Sequence, residues 1–533
     1  MMHEPQGVPF RSPIVGDLNL PPDGGATEGP APVDPQQRLP MLIELNVLYP
    51  GGLLAVREAF YGLWEQYATQ AGGWWPEEVT STSPVQPPVP RGLALIAPKL
   101  YQCVISRAVL RDMVTTDQER AEHGHRPPTI FRVWPDYVLH PQIDRSAATV
   151  KANAAWHSYD ARGRGIVWAV IDSGIDAGHP HFSRLELASA GRGEDPLQGP
   201  ASQLHRDFSF LVNPADQAQP DTPTQLQPLV DGSGHGTHVA GIISGCTPEG
   251  MTPRVAESKE PVNGGYVQRA HVGKLSGMAP ACELVSIKVM RLSRQGTWIT
   301  SSSAVIRALT YLRTEVNVDP GVLRVHGVNM SLGSEWRPDQ YAAGQSPLCQ
   351  AVNQLVASGV VVVVSAGNFG ARTAGDSTNT SAVMGSITEP AHAEDCIAVG
   401  STHRDAPHAF GVTWTSGKGP TLDGRMKPDV VAPGEWIASA ASGTIRAAAG
   451  LDDLTTEASP SAGSLTYAEQ SGTSMAAPHV SGIIAAFLSA RPEFIGRPRQ
   501  VKRLLTDSAT DLGRERYAQG AGLVDLMRML ANV

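Results

Sequence analysis

The spacing of hydrophobic positions changes along the chain and divides it into three regions. Residues 1–39 have no apolar period and are rich in Pro, Gly and Asp, so we predict a flexible N-terminal arm. Beyond residue 160, helical patterns alternate with unbroken apolar runs: IVWAVI at 166–171, LVSIKVM at 284–290, VHGVNMSL at 325–332 and VVVVVSA at 360–366. Because strands buried on both faces give such runs, residues 150–533 predict an α/β domain in which helices cover a parallel sheet.

The middle region, 40–145, predicts a small α+β domain. Five residues alternate along one face of a first strand: Met41, Ile43, Leu45, Val47 and Tyr49. The patterns that follow predict a helix over 53–67, a strand over 101–105, a helix that begins after Ser106 and a strand over 129–139. Strands and helices that alternate in so short a stretch indicate one compact α+β unit.

Composition and charge exclude several classes of protein. The chain has 533 residues, of which 41% are hydrophobic and 17% charged, so it is not disordered as a whole. Its net charge of −9 disfavours non-specific binding to nucleic acid or anionic membranes. No signal-peptide pattern and no apolar run of about 18 residues occurs. We therefore expect a cytoplasmic protein without nucleic-acid or membrane partners, and leave export without a leader open.

The cysteines favour a reducing compartment. There are five, scattered along the chain and without a C-x-x-C pair: Cys103, Cys246, Cys282, Cys349 and Cys396. An odd number at such spacings predicts free thiols and disfavours a zinc site.

Three polar residues stand where helices or strands begin or end. Asp172 follows the strand IVWAVI, His235 begins the helical stretch HGTHVAGII, and Ser474 lies in the first turn of a predicted buried helix. A serine there has an unused backbone N–H and a favourable helix dipole, but its hydroxyl needs a base, which a histidine held by a carboxylate supplies. Each residue alone also has a structural explanation, as a turn, a core histidine or a helix cap, and only the set points to catalysis.

The surrounding motifs resemble those of the subtilisin-like serine peptidases (subtilases). VIDSGID at 170–176, HGTHVAG at 235–241 and GTSMAAPHVSG at 472–482 look like the three signature blocks of that family, in its Asp–His–Ser order. Four further segments resemble family segments: GMAPAC at 277–282, NMSLG at 329–333, SAGN at 365–368 and KPDVVAPG at 427–434. The resemblance implies a subtilisin-like three-layer parallel sheet with helices on both faces. It also implies a preceding small α+β domain, ferredoxin-like and of the propeptide type.

The resemblance also implies roles for individual residues. Asp172, His235 and Ser474 would form a catalytic triad, and Asn368 would donate its amide to the oxyanion. The substrate, a protein or peptide, would bind as an extended strand along five residues: Ser331, Leu332, Gly333, Ala366 and Gly367. The main specificity pocket would lie between the 331–333 and 365–368 segments, with its floor residues not identified by the sequence.

The resemblance therefore predicts a serine endopeptidase that forms an acyl-enzyme on Ser474 and is made as a self-inhibited precursor. Residues 40–145 would be the intramolecular inhibitor, and the tail near 136–150 would cross the active site and be cleaved there. A permanent recruitment domain or an oligomer contact is the alternative for this region. For the whole chain, a silent scaffold and a peptide ligase that uses the same acyl-enzyme remain the alternatives.

The sequence predicts no metal ion in the catalytic chemistry. The chemistry requires no cofactor, and the resemblance leaves room for structural calcium. Four acidic residues lie in the insertions, and we interpret them as solvated charges rather than ligands: Asp207, Asp216, Asp221 and Asp376. The EHGH stretch at 122–125 precedes two prolines and predicts a solvated loop.

Overall fold

The fold is known from a computed structural model. It describes residues 38–71, 89–90, 92–135, 138–141, 149–185, 201–212, 227–259, 265–270, 274–319, 321–335, 339, 341–373, 380–451 and 465–533. The predicted arm therefore lies outside the described residues, apart from its last two positions. The chain forms two units: Met1–Tyr137 with Asp339–Tyr341, and Val138–Pro338 with Ala342–Val533.

The N-terminal unit is built as βαββαβ. Its elements are β1 (Arg38–Leu45), α1 (Gly52–Ala71), β2 (Leu93–Ala97), β3 (Leu100–Ser106), α2 (Arg107–His123) and β4 (Ile130–Pro135). The sheet order is β2-β3-β1-β4 and the strand pairs are antiparallel, which is the ferredoxin-like arrangement. Side chains from both helices and all four strands bury one apolar core, with Phe60, Trp64 and Tyr101 among its largest members.

The structure corrects three details of the prediction for this unit. β1 ends at Leu45 because the Asn46 side chain accepts the Leu48 N–H (3.1 Å) and turns the chain, so Val47 is 55% exposed. β2 was not predicted; it is a short strand beside a Pro-rich connection. The strand expected over 129–139 is two strands, since β4 ends at Pro135 and another begins at Val138.

The strands of the C-terminal unit are β5 (Val138–Pro141), β6 (Val167–Asp172), β7 (Arg206–Asp207), β8 (Arg254–Ser258), β9 (Tyr266–Ala270), β10 (Glu283–Lys288), β11 (Arg291–Leu292), β12 (Trp298–Ser301), β13 (Gly327–Met330), β14 (Leu332–Gly333), β15 (Val361–Ser365), β16 (Ala371–Thr373), β17 (Thr380–Ala382), β18 (Ile397–His403), β19 (Val430–Glu435), β20 (Ile437–Ala440) and β21 (Thr466–Gln470). Seven of them form a parallel sheet in the order β19-β18-β15-β13-β6-β10-β7. The parallel sheet is therefore confirmed.

The α-helices of this unit are α3 (Ala152–Tyr159), α4 (His235–Ile243), α5 (Ser302–Tyr311), α6 (Pro347–Ala357), α7 (Pro407–Phe410), α8 (Gly443–Ala448), α9 (Thr473–Ala490), α10 (Pro498–Ser508), α11 (Arg516–Gln519) and α12 (Leu526–Ala531). Short 3-10 turns occur at Pro180–Phe182, Ala201–Leu204, Ser209–Leu211 and Pro492–Phe494, and a π-turn at Leu312–Val316. Val361 and Val363 of β15 share a core with α9, while the intervening Val362 and Val364 are buried outside that core. Buried residues on both sides of a strand mean that the sheet is covered on both faces.

Helix α9 is the central helix of this unit. It packs on α4 and on the strands β13, β15, β18 and β19. It is long and apolar enough to span a membrane by length and composition, but 89% of it is buried inside the protein. A helix that is apolar all round needs such surroundings, so its composition follows from its place in the core.

Three smaller sheets flank the parallel one. Their strand orders are β11-β12-β5-β14, β20-β21-β8-β9 and β16-β17. In the first of them β5 lies between β12 and β14 and runs antiparallel to both.

Candidate active site

A buried aspartate–histidine pair lies where β6 ends and α4 begins. Asp172 is the last residue of β6 and His235 the first of α4, and they are 0% and 1% exposed. His235 Nδ1 donates to Asp172 Oδ1 over 2.7 Å, and the Ser173 N–H donates to the same oxygen, also over 2.7 Å. With Nδ1 held by the carboxylate, the tautomer and the plane of the imidazole are fixed.

A second carboxylate shapes the turn that presents His235. Asp231 accepts the N–H groups of Ser233, Gly234 and Thr237 at 2.8–3.1 Å and the Thr237 hydroxyl at 2.7 Å. Burial raises the pKa of the Asp231 carboxyl, and the hydrogen bonds from Thr237 and Gly234 oppose that rise. Asp231 was not among the predicted site residues, although an acid four positions before the histidine of the HGTHVAG block is a usable signal.

Close backbone packing behind the pair requires glycine at position 236. The Gly236 N–H donates to the Ser173 hydroxyl (2.9 Å), and a Cβ on Gly236 would come within 2.1 Å of the Gly174 carbonyl oxygen. Since no side chain fits there, the glycine that follows the histidine allows α4 to lie against the end of β6.

Ser474 is the second residue of α9 and is fully buried. Its hydroxyl donates to the Ser331 carbonyl (3.2 Å), and the Ser331 hydroxyl donates to the Ser474 carbonyl (2.6 Å). Within the described residues the hydroxyl of Ser474 therefore bonds to Ser331 rather than to His235. Catalytic hydrogen bonds are often loose in unliganded enzymes and tighten only with substrate. As a first-turn residue, Ser474 also has a backbone N–H that the helix does not use.

Asn368 lies next to the start of the same helix. Its Oδ1 accepts the backbone N–H of Thr473 (2.9 Å) and the Thr473 hydroxyl (3.2 Å), and the Gly367 N–H donates to the Thr473 hydroxyl (3.1 Å). Because Oδ1 is held by these donors, the amide NH₂ group faces away from Thr473. This is the orientation that an oxyanion donor needs.

The predicted substrate-binding residues lie at the ends of neighbouring parallel strands. Ser331–Gly333 follow β13, and Ala366 and Gly367 follow β15, which pairs with β13. Between these two segments lies Thr388, whose N–H donates to the Ala366 carbonyl (3.0 Å). Glu389, the next residue, exchanges two backbone hydrogen bonds with Ser334 (2.9 and 3.0 Å). Thr388 and Glu389 therefore link the backbones of the two segments.

Strand β5 pairs with the segment that was expected to bind substrate. It pairs antiparallel with β14 through His140↔Gly333 and Pro141↔Leu332. On its other edge it pairs antiparallel with β12 through Val138↔Ser301 and Leu139↔Thr300. The segment that was predicted to bind an extended peptide therefore holds a strand of the chain itself.

The remaining candidate residues have structural surroundings. His238, His326 and His479 each exchange a hydrogen bond with a backbone group, and burial lowers the pKa of His479 to about 4. All five cysteines are free thiols. The EHGH stretch is exposed, but only its second half is a turn: His123 is the last residue of α2, and His125 lies in the turn that follows.

The acidic residues of the insertions supply no metal site in the part of the chain that is described. Asp207 accepts the N–H and the hydroxyl of Ser209 (2.8 and 2.6 Å), and burial raises the pKa of its carboxyl. Asp216, Asp221 and Asp376 lie outside the described residues. Across the described ranges, no three His, Cys, Asp or Glu side chains are grouped so that they could hold a metal ion.

Comparison with known proteins identifies the family. The model of the subtilase family matches residues 163–523, which include every motif from HGTHVAG to GTSMAAPHVSG. The chain belongs to the subtilase family. It is a serine endopeptidase with the α/β fold of that family, as its motifs predicted.

Several subtilisins are similar to this subtilase. Subtilisin E of Bacillus subtilis (strain 168) is 28% identical over 415 residues, which cover 77% of this chain and 78% of the relative. A subtilisin of Bacillus pumilus is 29% identical over 372 residues, which cover 70% of this chain and 93% of the relative. Subtilisin Savinase of Lederbergia lenta is 28% identical over 376 residues, which cover 70% and 94%.

Proposed function

We propose that Asp172, His235 and Ser474 are the catalytic triad of this subtilase and that it cleaves peptide bonds through an acyl-enzyme on Ser474. The observation that carries the proposal is the buried 2.7 Å hydrogen bond between His235 Nδ1 and Asp172 Oδ1. With the proton of the ring held on Nδ1, Nε2 would be the nitrogen that accepts the proton of Ser474 in the proposed reaction. The buried carboxylate stabilises the imidazolium that then forms.

In the first step Ser474 Oγ attacks the carbonyl carbon of the scissile bond while His235 Nε2 takes the hydroxyl proton. This requires the hydroxyl to leave the Ser331 carbonyl and to donate to His235 instead. The new oxyanion would be stabilised by the Ser474 backbone N–H and the Asn368 amide, and these donors supply more stabilisation in a dry site than in water.

Labelling by a fluorophosphonate tests the triad. The wild type should be labelled at Ser474 and should cleave a denatured protein substrate. Ser474→Ala should lose both activities, while Thr506→Ala, on the surface of α10, should keep them. Labelling of the wild type at another serine, or full proteolysis by Ser474→Ala, would show that the assignment is wrong.

We also propose that the chain is made as a self-inhibited precursor, with residues 40–145 as the inhibitor. The support is β5, whose backbone is paired on both edges within the cleft that was expected to bind substrate. A strand bound there competes directly with a substrate strand, because both use the same backbone hydrogen-bonding groups.

A time course tests the precursor proposal. Intact mass and peptidase activity of the purified wild type should change together, with the mass falling as the activity rises. Ser474→Ala should stay at full length throughout. Full activity in a chain that keeps its full mass would favour a permanent recruitment domain instead.

A further inference from the structure

We propose that the ammonium group of Lys418 acts as a tethered cation that holds the segment of Asn368 in place, so that Lys418 is a positioning residue for the oxyanion donor. The same site should bind a free monovalent cation, NH₄⁺ or K⁺, once the lysine side chain is removed. This inference rests on the proposed triad and on the proposed role of Asn368, and it adds a supporting residue and a class of ligand.

Three backbone carbonyl groups surround the Lys418 ammonium and form what we call the carbonyl site. Nζ donates to the carbonyl oxygens of Trp414 (2.8 Å), Gly370 (2.9 Å) and Ser416 (3.1 Å). Among the described residues no carboxylate acts as its partner. Because an ammonium group has three N–H donors and no acceptor, the three carbonyl oxygens satisfy it completely.

The number of acceptors requires the charged form of this lysine. Burial lowers the pKa of Lys418. A neutral amine, however, has one N–H group fewer, and its lone pair would face the remaining carbonyl oxygen. Converging backbone carbonyl oxygens are also the ligands that replace the hydration shell of K⁺ in selective channels. The surroundings of Nζ are therefore those of a bound monovalent cation.

The lysine closes the turn in which it lies and ties that turn to a second segment. Trp414 and Ser416 precede Lys418 by four and two residues, so two of the three contacts fold residues 414–418 back on their last member. The third contact reaches Gly370, where a Cβ would come within 1.7 Å of the Ser416 carbonyl oxygen and 2.7 Å of Nζ. Only glycine permits this close approach.

The same turn holds the segment of Asn368 at both of its ends. The Gly417 N–H donates to the Gly367 carbonyl (2.6 Å), and the Gly370 N–H donates to the Thr415 carbonyl (2.9 Å). Asn368 lies between these two points in the sequence. The turn that the lysine closes therefore fixes the backbone that carries the proposed oxyanion donor.

Removal of the ammonium group would leave the carbonyl site without a donor. Buried carbonyl oxygens that lose their partner cost free energy, and three dipoles that point at one place repel each other. We expect the turn to open and to displace the Asn368 amide. An oxyanion donor has to lie about 2.7–3.1 Å from the oxygen on which the charge develops, so a small displacement is enough to lose it.

Steady-state kinetics of two variants of the full chain test the positioning role. Lys418→Gly and Lys418→Met should each lower kcat on a peptide substrate at least about tenfold and change KM little, because the amide acts on the transition state. Lys274→Gly is the matched control, since this lysine is 62% exposed, and it should keep the wild-type kcat. Rates are expressed per serine labelled by a fluorophosphonate at the end point, so that only competent sites are counted.

Added cations separate the charge of Lys418 from its packing. NH₄Cl or KCl should recover most of the kcat that Lys418→Gly loses, at an ionic strength kept constant with choline, a bulky cation without N–H donors. Lys418→Met should not recover, because its side chain fills the site without a charge. If Lys418→Gly is unfolded in choline chloride, NH₄Cl should fold it, since a ligand of the native state stabilises that state.

Three results would overturn this inference. They are a wild-type kcat in Lys418→Met, equal recovery of Lys418→Gly in choline chloride, and no recovery of that variant in NH₄Cl or KCl, which includes failure to fold in any of the salts. Each leaves the triad intact if the wild type is labelled at Ser474 and cleaves the peptide. A wild type that is neither labelled nor active would instead count against the triad itself.

Discussion

At the scale of single residues, the site is defined by which atom of a side chain is already occupied. His235 donates Nδ1 to Asp172, and Asn368 accepts with Oδ1 from Thr473. The proposed chemistry uses the other polar atom of each side chain, Nε2 of the histidine and the NH₂ group of the asparagine. The supporting bonds therefore determine function as much as the identities of the catalytic residues do.

Asn368→Leu should lower kcat by about 100- to 1,000-fold and change KM little, because the amide would act on the transition state rather than on bound substrate. The range was measured on a subtilisin and is carried over here to a relative. Steady-state kinetics on a peptide substrate measure both parameters. A loss confined to KM would assign Asn368 to substrate binding instead.

The motif residues were predictable because their chemistry is local, whereas their supports were not. Asp172, His235, Ser474 and Asn368 lie in short recognisable segments, so the sequence indicates them as candidates. Thr388 lies 22 residues beyond Ala366 and contacts it only because the chain folds back, and it carries no motif that would indicate this. Residues that gain a role only from tertiary contacts are the ones that a single sequence cannot supply.

At the scale of elements, the pairing of strands can determine which residue type a position accepts. Gly327 of β13 stands opposite Trp168 of β6, and a Cβ on Gly327 would come within 2.2 Å of the indole ring. Trp168 is fully buried, so the ring has no space into which it can move. The glycine is thus needed for close packing of two central strands.

Gly327→Ala should destabilise the protein by about 1–3 kcal/mol or more, the usual cost of overpacking a dense core. Denaturant unfolding of the Ser474→Ala background, which avoids self-digestion, measures the change. Gly62→Ala is the control, because Gly62 is an exposed residue of α1 at which a Cβ meets nothing within 4 Å, so this variant should not be destabilised. Equal losses for the two variants would contradict the packing argument.

The elements were predicted best where apolar runs are long and worst where turns intervene. The four buried runs all became parallel strands, because continuous burial leaves little alternative. The expected strand over 129–139 instead divides into β4 and β5, which belong to different units. The alternation of apolar and polar side chains does not reveal such a break, because one long strand and two short strands give the same pattern.

At the scale of the whole molecule, a buried ionic cluster joins parts of the chain that are far apart in sequence. Asp429 accepts from Lys427 (2.8 Å), Lys502 of α10 (2.9 Å) and the Ala398 N–H of β18 (2.8 Å). Burial opposes ionisation of Asp429, but the two lysines outweigh it and hold the pKa of this carboxyl below its usual value. The cluster ties the edge of the sheet to the C-terminal helices.

Asp429→Asn should destabilise the protein at neutral pH by about 3–5 kcal/mol, since it leaves buried ammonium groups without their partner. A lowered carboxyl pKa adds stability above the unfolded value, near 3.9, and this is lost as the pH falls through the folded value. The gap between wild type and variant should therefore narrow below about pH 4. Unfolding curves at pH 7 and pH 3.5 measure it, and a gap that does not depend on pH would contradict the charge argument.

The burial of α9 has a consequence for how the enzyme is inactivated. Local openings of a native protein start in segments with few buried contacts, and the most enclosed elements exchange their amide hydrogens only on global unfolding. Ser474 stands on a helix that is buried along nearly its whole length, so local opening elsewhere leaves the attacking group in place. We expect thermal inactivation to follow a single cooperative transition rather than a gradual decline.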